Sequence, residues 1–392
     1  VYKRQVRSLV EHVLRSGDLA ITFVSAAHAT DAIHAHQKVQ QSRPQGYEAE
    51  VAVSHTIDTD RFRLTISGRI DGVWRIDDQV VIDEIKTTMR DPETFTEETH
   101  PLHWAQAKTY AFIYAAAHHL DQMGVQLTYY HLDSGHIHEI RKNYSRNDLQ
   151  RFFSSLVERY LEWATTLDHN DRQRDLSINT LDFPFENFRP GQRPMAVAVY
   201  KTIQETGQLI VQAATGIGKT MAVLFPAVKA LGVGLTDKIF FLTARTTGKA
   251  VAEEGLAQLR THGLKLKSLS LTAKDKVCFT PEAACTPDEC EFARGHFDRI
   301  NDALYAIFDQ DAFTREVIDT VARRFRVCPF EFALELSLWA DVVICDYNYA
   351  FNPRVYLRRF FVETRAHYAF LVDEAHNLVD RSRDMFSAHI RK

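Results

Sequence analysis

The stretch Ala213-Ala-Thr-Gly-Ile-Gly-Lys-Thr220, directly after the apolar run Leu209-Ile210-Val211, constrains this chain more than any other segment. Backbone N–H groups converge on an anion only where no side chain obstructs them, and Gly216 and Gly218 leave that room. Thr215, Gly216, Ile217 and Gly218 form the turn that would cradle phosphates. Lys219 supplies a cation for the β- and γ-phosphates, and Thr220 a hydroxyl for Mg2+. Such a loop sits between a strand and a helix, so a strand is expected from Gln208 to Ala213 with a helix after it. Ala213 stands where the usual pattern has its first glycine.

Downstream, strands expected at Lys238 to Thr243, Asp341 to Cys345 and Ala369 to Val372 alternate with helical segments such as Gly248 to Leu259. That alternation argues for a parallel α/β sheet. The last of these strands delivers Asp373-Glu374-Ala375-His376 to its C-terminal edge. There one carboxylate orients Mg2+ and the next, Glu374, polarises an attacking water, as ATP hydrolysis requires. Arg189-Pro-Gly-Gln192 precedes the first helix of this part, and the Gln192 amide, donor and acceptor at once, suits adenine.

The preceding part has another rhythm. Residues 1 to about 45 read as helical. From Tyr47 to Thr88 come Val-, Ile- and Thr-rich runs broken at Asp58-Thr59-Asp60, Ser67-Gly68, Asp71-Gly72 and Asp77-Asp78, the pattern of an antiparallel meander. A helix from Pro101 to Leu120, strands from Val125 to Leu132 and His136 to Tyr144, and a helix from Arg146 to Leu167 follow. The polar stretch Asp168 to Asp175 reads as a linker, which divides the 392 residues into domains 1–172 and 173–392. A mostly helical, Cys-bearing interval of about 274–332 interrupts the second domain.

Within the meander, the alternation of a strand puts Glu84 and Lys86 on one side, and Asp71 of a neighbouring strand can converge on them. Two carboxylates hold a divalent metal that stabilises charge developing on a scissile phosphate, and the lysine orients or activates water. Asp83 faces the other way and takes a supporting or surface role. Gln106 and Tyr110, i and i+4 on the next helix, share a face. His36 on the preceding helix completes the metal set, with His34 an equal alternative.

Cys278, Cys285, Cys290 and Cys328 all fall in the interrupting interval, separated by six, four and thirty-seven residues. Four thiolates hold zinc or an iron–sulfur cluster, and the absence of tight paired knuckles disfavours zinc without excluding it. Cys345 falls on a core strand. Five cysteines do not form a secreted disulfide scaffold. No apolar run approaches the ~20 residues of a membrane span. With 47 basic against 51 acidic side chains the net charge is -4, so a nucleic-acid partner must be held by local patches. Arg323-Arg-Phe-Arg326 and the run from Arg354 to Phe361 interleave cations with aromatics in the manner that grips single strands.

Two resemblances emerge from these residues. From about residue 186 onward the chain resembles the first motor domain of the XPD/DinG family of iron–sulfur DNA helicases. It does so through Arg189-x-x-Gln192, the phosphate loop, Thr243-Ala-Arg245-Thr246, the four cysteines with Cys328-Pro-Phe-Glu, Asp346-Tyr-Asn-Tyr349 and the DEAH box Asp373-Glu-Ala-His376. The resemblance implies a RecA-like P-loop domain, ATP and Mg2+, a 4Fe–4S cluster on the four cysteines, and translocation on single-stranded DNA. Residues 25–145 are similar to the RecB-like branch of the PD-(D/E)xK nucleases through the helical His, Gly68-x-Ile-Asp71, Glu84-x-Lys86 and Gln106-x-x-x-Tyr110. The implied chain is an α/β protein: a nuclease domain followed by a motor domain with a helical iron–sulfur insertion.

The expected activity is an ATP-dependent DNA helicase fused to a Mg2+- or Mn2+-dependent DNA nuclease in repair or DNA processing. It would be a cytoplasmic, monomeric motor on single-stranded or branched DNA, with no membrane. The alternative is a non-catalytic DNA-binding module with a silent nuclease fold; intact Asp71, Glu84 and Lys86 favour the enzyme. The chain begins without Met and stops sixteen residues after His376, so a fragment of a longer helicase–nuclease is expected.

Overall fold

The computed structural model of the chain describes residues 2–19, 26–76, 79–97, 99–214, 216–244, 246–353, 355, 357–361 and 366–388. Thr215, Arg245, Arg354 and the expected Asp77-Asp78 turn lie outside the described residues. The chain separates into two compact units, residues 1–16 with 21–166 and residues 17–20 with 167–392. Among the described residues no helix is long and apolar enough to cross a membrane.

The first unit runs β1 (Tyr2–Gln5), α1 (Val6–Leu14), α2 (Ala26–Gln41), β2 (Glu48–Asp58), β3 (Arg63–Ile76), β4 (Gln79–Thr88), α3 (Pro101–His118), β5 (Gln122–His131), β6 (Ile137–Ser145) and the first part of α4 (Arg146–Thr180), which from residue 167 onward belongs to the second unit. β2, β3 and β4 form the expected meander, with β2 and β4 both antiparallel to β3. The N-terminal stretch is not helical throughout: Tyr2–Gln5 lies parallel to β3 over Leu64 to Ser67. So short a strand has no local signature, because its partner is far away in sequence. In α1 the spacing of Val6, Leu9, Val10 and Val13 makes one buried face.

The ladder registers place a fork in this sheet. β2 runs along β3 from Val73 to Arg63, so β1 and β4 share the other edge. β4 leaves that edge at the Gly72–Asp83 pair and continues parallel to β5 from Val81 to Thr88. Strands that part in this way open a cleft floored by backbone, and Asp71 stands at the parting.

In the second unit the helices are α5 (Gln192–Gln204), α6 (Lys219–Gly232), α7 (Thr246–Thr261), α8 (Lys274–Val277), α9 (His296–Ile307), α10 (Arg315–Phe325), α11 (Pro329–Trp339), α12 (Asn348–Phe351), α13 (Arg358–Phe361) and α14 (Leu378–Phe386). The strands are β7 (Lys238–Thr243), β8 (Ser268–Ser270), β9 (Ala312–Phe313), β10 (Val342–Asp346) and β11 (Tyr368–Val372). They form one parallel sheet in the order β11-β7-β10-β8-β9. Leu224 and Val228 of α6, Leu256 of α7, and Phe241, Ile344 and Leu371 of three strands share its core. The Cys-bearing interval is mostly helical as expected, yet it also lends β9 to the edge of the sheet.

Two expectations are corrected. Gln208 to Ala213 forms no strand, and Ile210 is 97% exposed. An apolar run is only a strand where another strand meets its N–H and C=O groups, and among the described residues β11 pairs with β7 alone. Asp168 to Asp175 is not a linker but part of α4. It contains no Gly or Pro to break a helix, and Arg172–Asp168 (2.9 Å) and Arg174–Asp171 (3.2 Å) are helical neighbours. Arg174 also reaches Asp341 at 2.7 Å, which fastens this turn of α4 to the start of β10.

Candidate functional site

At the fork, the Asp71 carboxylate accepts the Ile85 backbone N–H at 2.7 Å, replacing the strand partner that β4 has just lost. Its other oxygen is 3.8 Å from His36 Nδ1, whereas His34 is exposed on the same helix. Gln40 of α2 donates to the Asp71 backbone carbonyl at 2.9 Å, fixing the helix that carries His36. Lys86 Nζ donates to Glu84 Oε1 at 2.7 Å and to Gln106 Oε1 at 3.1 Å. Asp71, Glu84, Lys86, Gln106, Tyr110 and His36 thus border one cleft in the first unit.

Tyr110 reaches the cleft because position 68 is glycine. A Cβ there would lie 2.6 Å from the Tyr110 ring. Burial first, then the Glu84 charge, push the Tyr110 phenol up to about 12. Gly72 plays the same part behind the cleft, where a Cβ would fall on the Tyr47 ring.

The electrostatics of the two carboxylates suit a cation. Burial first and the neighbouring Glu84 second push the Asp71 carboxyl up to about 8. Glu84 is 2% exposed, and its Oε2 has no hydrogen-bond partner. Leaving such an acceptor unmet costs about 1–3 kcal/mol. A divalent cation between the carboxylates would offset both penalties, and the donor set of two carboxylates and an imidazole fits Mg2+ or Mn2+. Among the described residues, no three His, Cys, Asp or Glu already stand as a closed metal-ligating group.

Asp83 is not a surface residue. It is fully buried on the back of β4, bonded to Arg43 Nη2 (2.7 Å), Thr128 Oγ1 (2.5 Å) and the Tyr47 hydroxyl (3.2 Å). Arg43, just past α2, also donates to Thr128 Oγ1 at 2.7 Å and pairs with Glu139. The alternation of β4 places Asp83 on this face, but only the covering α2 segment makes the face interior. No sequence signal marked Arg43.

In the second unit, Gly216 and Gly218 adopt positive φ (85° and 78°), the conformation for which the turn needs glycine, and α6 starts at Lys219. Ile217 sits between the two glycines with its Cδ1 against Gly191. Lys219 Nζ donates to the Ala213 carbonyl at 3.3 Å. Burial and then Glu374 raise the Asp373 carboxyl, while the Lys219 charge opposes them, so the loop lysine and the β11 carboxylate act on one space. Gln192 is 3% exposed, with its amide donating to Gly218 O (3.1 Å) and accepting from Arg189 N (3.0 Å). Arg189 in turn holds Gly216 O. Arg189 and Gln192 therefore brace the loop. His376 is exposed, 3.4 Å from Glu374, and the buried Tyr347 hydroxyl donates to the Asp373 and Glu374 carbonyls. Thr220 opens α6 beside Gly255 of α7.

Two family models match this chain. Residues 8–176 match the PD-(D/E)XK nuclease superfamily, and residues 250–392 match DEAD_2. The chain joins a PD-(D/E)XK nuclease-superfamily domain to an XPD-like helicase domain. It is 33% identical over 76 residues to the Fanconi anemia group J protein homolog of Gallus gallus, covering 19% of this chain and 6% of that protein. Against the general transcription and DNA repair factor IIH helicase subunit XPD of Arabidopsis thaliana it is 21% identical over 249 residues, 54% of this chain and 32% of that one. A probable ATP-dependent helicase of Methanocaldococcus jannaschii is 24% identical over 205 residues, 52% of this chain and 30% of its own. The chain spans about a third or less of the length of these relatives. A solved XPD helicase structure aligns at 20% identity over 51% of this chain and 35% of its own, with a TM-score of 0.37.

In the helicase domain, Cys290 and Cys328 border one apolar cluster with Phe279, Phe292, Ala293, Phe297 and Leu19. Thr280 Oγ1 lies 3.4 Å from Cys290 Sγ, and Cys278 ends α8 next to Phe279. Burial works against the charge of Lys274, but its hydrogen bond to Cys285 and the nearby Cys328 hold its ammonium above the ordinary value. Cys290 and Cys328 thus share this cluster, Lys274 links Cys285 to Cys328, and Cys278 precedes Phe279 in the chain. The thiol chemistry fits an iron–sulfur group, while the described sulfurs are not closed into a metal-ligating set. The segment Gly17 to Leu19, part of the same unit, braces this region: Leu19 N donates to Ala293 O (2.8 Å) and Asp18 accepts from Gly295 N (2.6 Å).

Proposed function

We propose that this chain is a metal-dependent DNA nuclease joined in one polypeptide to the ATP-binding lobe of an iron–sulfur DNA helicase, serving DNA repair or processing. The observation that carries the reading is the cleft at the fork, where the hydrogen-bond-orphaned Glu84 Oε2 and the Asp71 carboxyl with its raised pKa face Lys86. Asp71 and Glu84, with His36, would hold Mg2+ or Mn2+, which when bound supplies positive charge against the scissile phosphate. Lys86, clamped between Glu84 and Gln106, orients the attacking water, and Tyr110 closes the wall.

In the helicase domain the loop from Thr215 to Thr220 takes the phosphates of ATP, with Arg189, Gln192, Asp373 and His376 completing the site and Glu374 polarising water. Support comes from the shared field of Lys219 and Asp373. Cys278, Cys285, Cys290 and Cys328 are the ligands proposed for a 4Fe–4S cluster. The partner is single-stranded or branched DNA, handled by a monomeric cytoplasmic motor.

Cleavage of DNA by the purified chain in Mg2+ or Mn2+, abolished by Lys86→Ala, tests the nuclease; no cleavage in either metal would refute it. ATP binding lost in Lys219→Ala tests the lobe. Iron and acid-labile sulfide near four each per chain, against zinc or neither, test the cysteines.

A further inference from the structure

Glu374 of the DEAH box holds a backbone conformation that a glutamate does not choose by itself. Its φ of 50° and ψ of 46° lie in the left-handed region, where Cβ crowds the carbonyl that follows. Asp373, one residue earlier, is still tied to the sheet, its N–H on the Leu242 carbonyl at 2.9 Å. The chain therefore turns sharply between the two carboxylates, and the turn sets the direction in which Glu374 points. A conformation of this kind persists only where the surroundings hold it.

Three donors converge on the Glu374 carbonyl. Two belong to the turn itself, Asn377 N and Asn377 Nδ2, each at 3.0 Å. The third is the Tyr347 hydroxyl at 3.1 Å, which comes from the far side of β7 in the order β11-β7-β10. The same hydroxyl donates to the Asp373 carbonyl, so one O–H grips the backbone of both carboxylate residues. Tyr347 is fully buried, and it lies just past the ladder in which β10 pairs with β7. Burial first, then the Asp373 and Glu374 charges, push its phenol up to about 12, so at neutral pH it keeps the proton it donates. Asp346, the residue before it, takes Arg381 Nη2 on both oxygens (2.7 and 2.9 Å), which fastens α14 just beyond the same turn.

We propose that Tyr347 is a positioning residue for ATP hydrolysis, its hydroxyl holding Glu374 in the left-handed conformation that aims the carboxylate at the attacking water. It takes no part in holding the nucleotide. The inference rests on the ATP-binding reading of this lobe and gives the Asp346-Tyr-Asn-Tyr349 motif a task within it.

The test uses the full chain with Mg2+ and radiolabelled ATP at a concentration below that of the protein, so that a single slow turnover is counted. Tyr347→Phe removes one oxygen and keeps the buried ring. It should lower the rate constant about tenfold or more. The Kd for ATP should stay within about twofold of the parent. In a Glu374→Gln background the same change should cost nothing further, because the carboxylate it aims is gone. Hydrogen exchange reads the grip without hydrolysis: Tyr347→Phe should speed exchange of the Asn377 N–H about tenfold or more and leave the β7 and β10 amides unchanged. Should Tyr347→Phe fail to fold, Asn377→Ala, which removes a half-exposed donor from the same carbonyl, carries the same expectations. Rate losses that add in the double variant, ATP binding weakened as much as turnover, or exchange quickened evenly across the sheet would overturn the proposal. Faster exchange at Asn377 in a chain that never turns over ATP would sink the hydrolysis reading and leave the grip on Glu374 standing; turnover equal in Tyr347→Phe and the parent would do the reverse.

Discussion

The Asp71 carboxylate accepts the Ile85 N–H at 2.7 Å where β4 departs from β3. One side chain thereby closes the backbone accounts of the fork and faces its cleft. The two roles are separable by substitution. Asp71→Asn keeps an oxygen for Ile85 and loses the charge, so cleavage should fall by about 100-fold or more with stability within about 1 kcal/mol of the parent. Asp71→Ala also strands the Ile85 N–H and should cost a further ~1–3 kcal/mol. Urea denaturation beside a cleavage assay distinguishes them; equal stability of the two variants would contradict the hydrogen bond.

Gly68 exists for Tyr110. In Gly68→Ala the new Cβ, 2.6 Å from the ring, must push Tyr110 aside, at a cost of about 1–3 kcal/mol and with reduced cleavage. Pairing it with Tyr110→Ala should return much of that stability. Strict additivity in the double-mutant cycle would place the strain elsewhere.

Asp83 and Arg43 tie the segment after α2 to the back of β4. Asp83→Ala leaves Arg43, whose side chain is 11% exposed, without its main counter-charge and should cost about 3–5 kcal/mol. Replacing both, as in Asp83→Ala with Arg43→Met, should cost less than the single change. Thermal unfolding of the three variants checks this.

His103 sets a pH dependence. Its folded pKa, about 3 through burial first and Lys86 second, lies below the unfolded value near 6.5. The unfolded chain therefore binds more protons between these values, and stability falls as pH drops from about 6.5 toward 3. After a discount for partial solvent access the loss is on the order of 1–3 kcal/mol. His103→Gln should flatten that limb of the stability profile, and an unchanged limb would contradict the shift.

Much of the cleft was readable in advance because strand alternation and helical spacing are local. They put Glu84 with Lys86 and Gln106 with Tyr110 without the help of any tertiary contact. The same alternation turned Asp83 away, yet could not say that Arg43 and Thr128 would enclose it. Local composition misread two segments: polarity made Asp168 to Asp175 look like a linker, and apolarity made Gln208 to Ala213 look like a strand.

The order of residues alone determined which side chains share a face, where glycine must permit a turn, and which thiols and carboxylates are available. Tertiary structure alone decided that β4 parts from β3 at Asp71, that Lys219 and Asp373 act on one space, and that His103 comes within reach of the Lys86 charge. The reason is physical: periodicity is set by bonds within a few residues, whereas convergence depends on packing between elements distant in the chain, whose favourable partners no local pattern specifies.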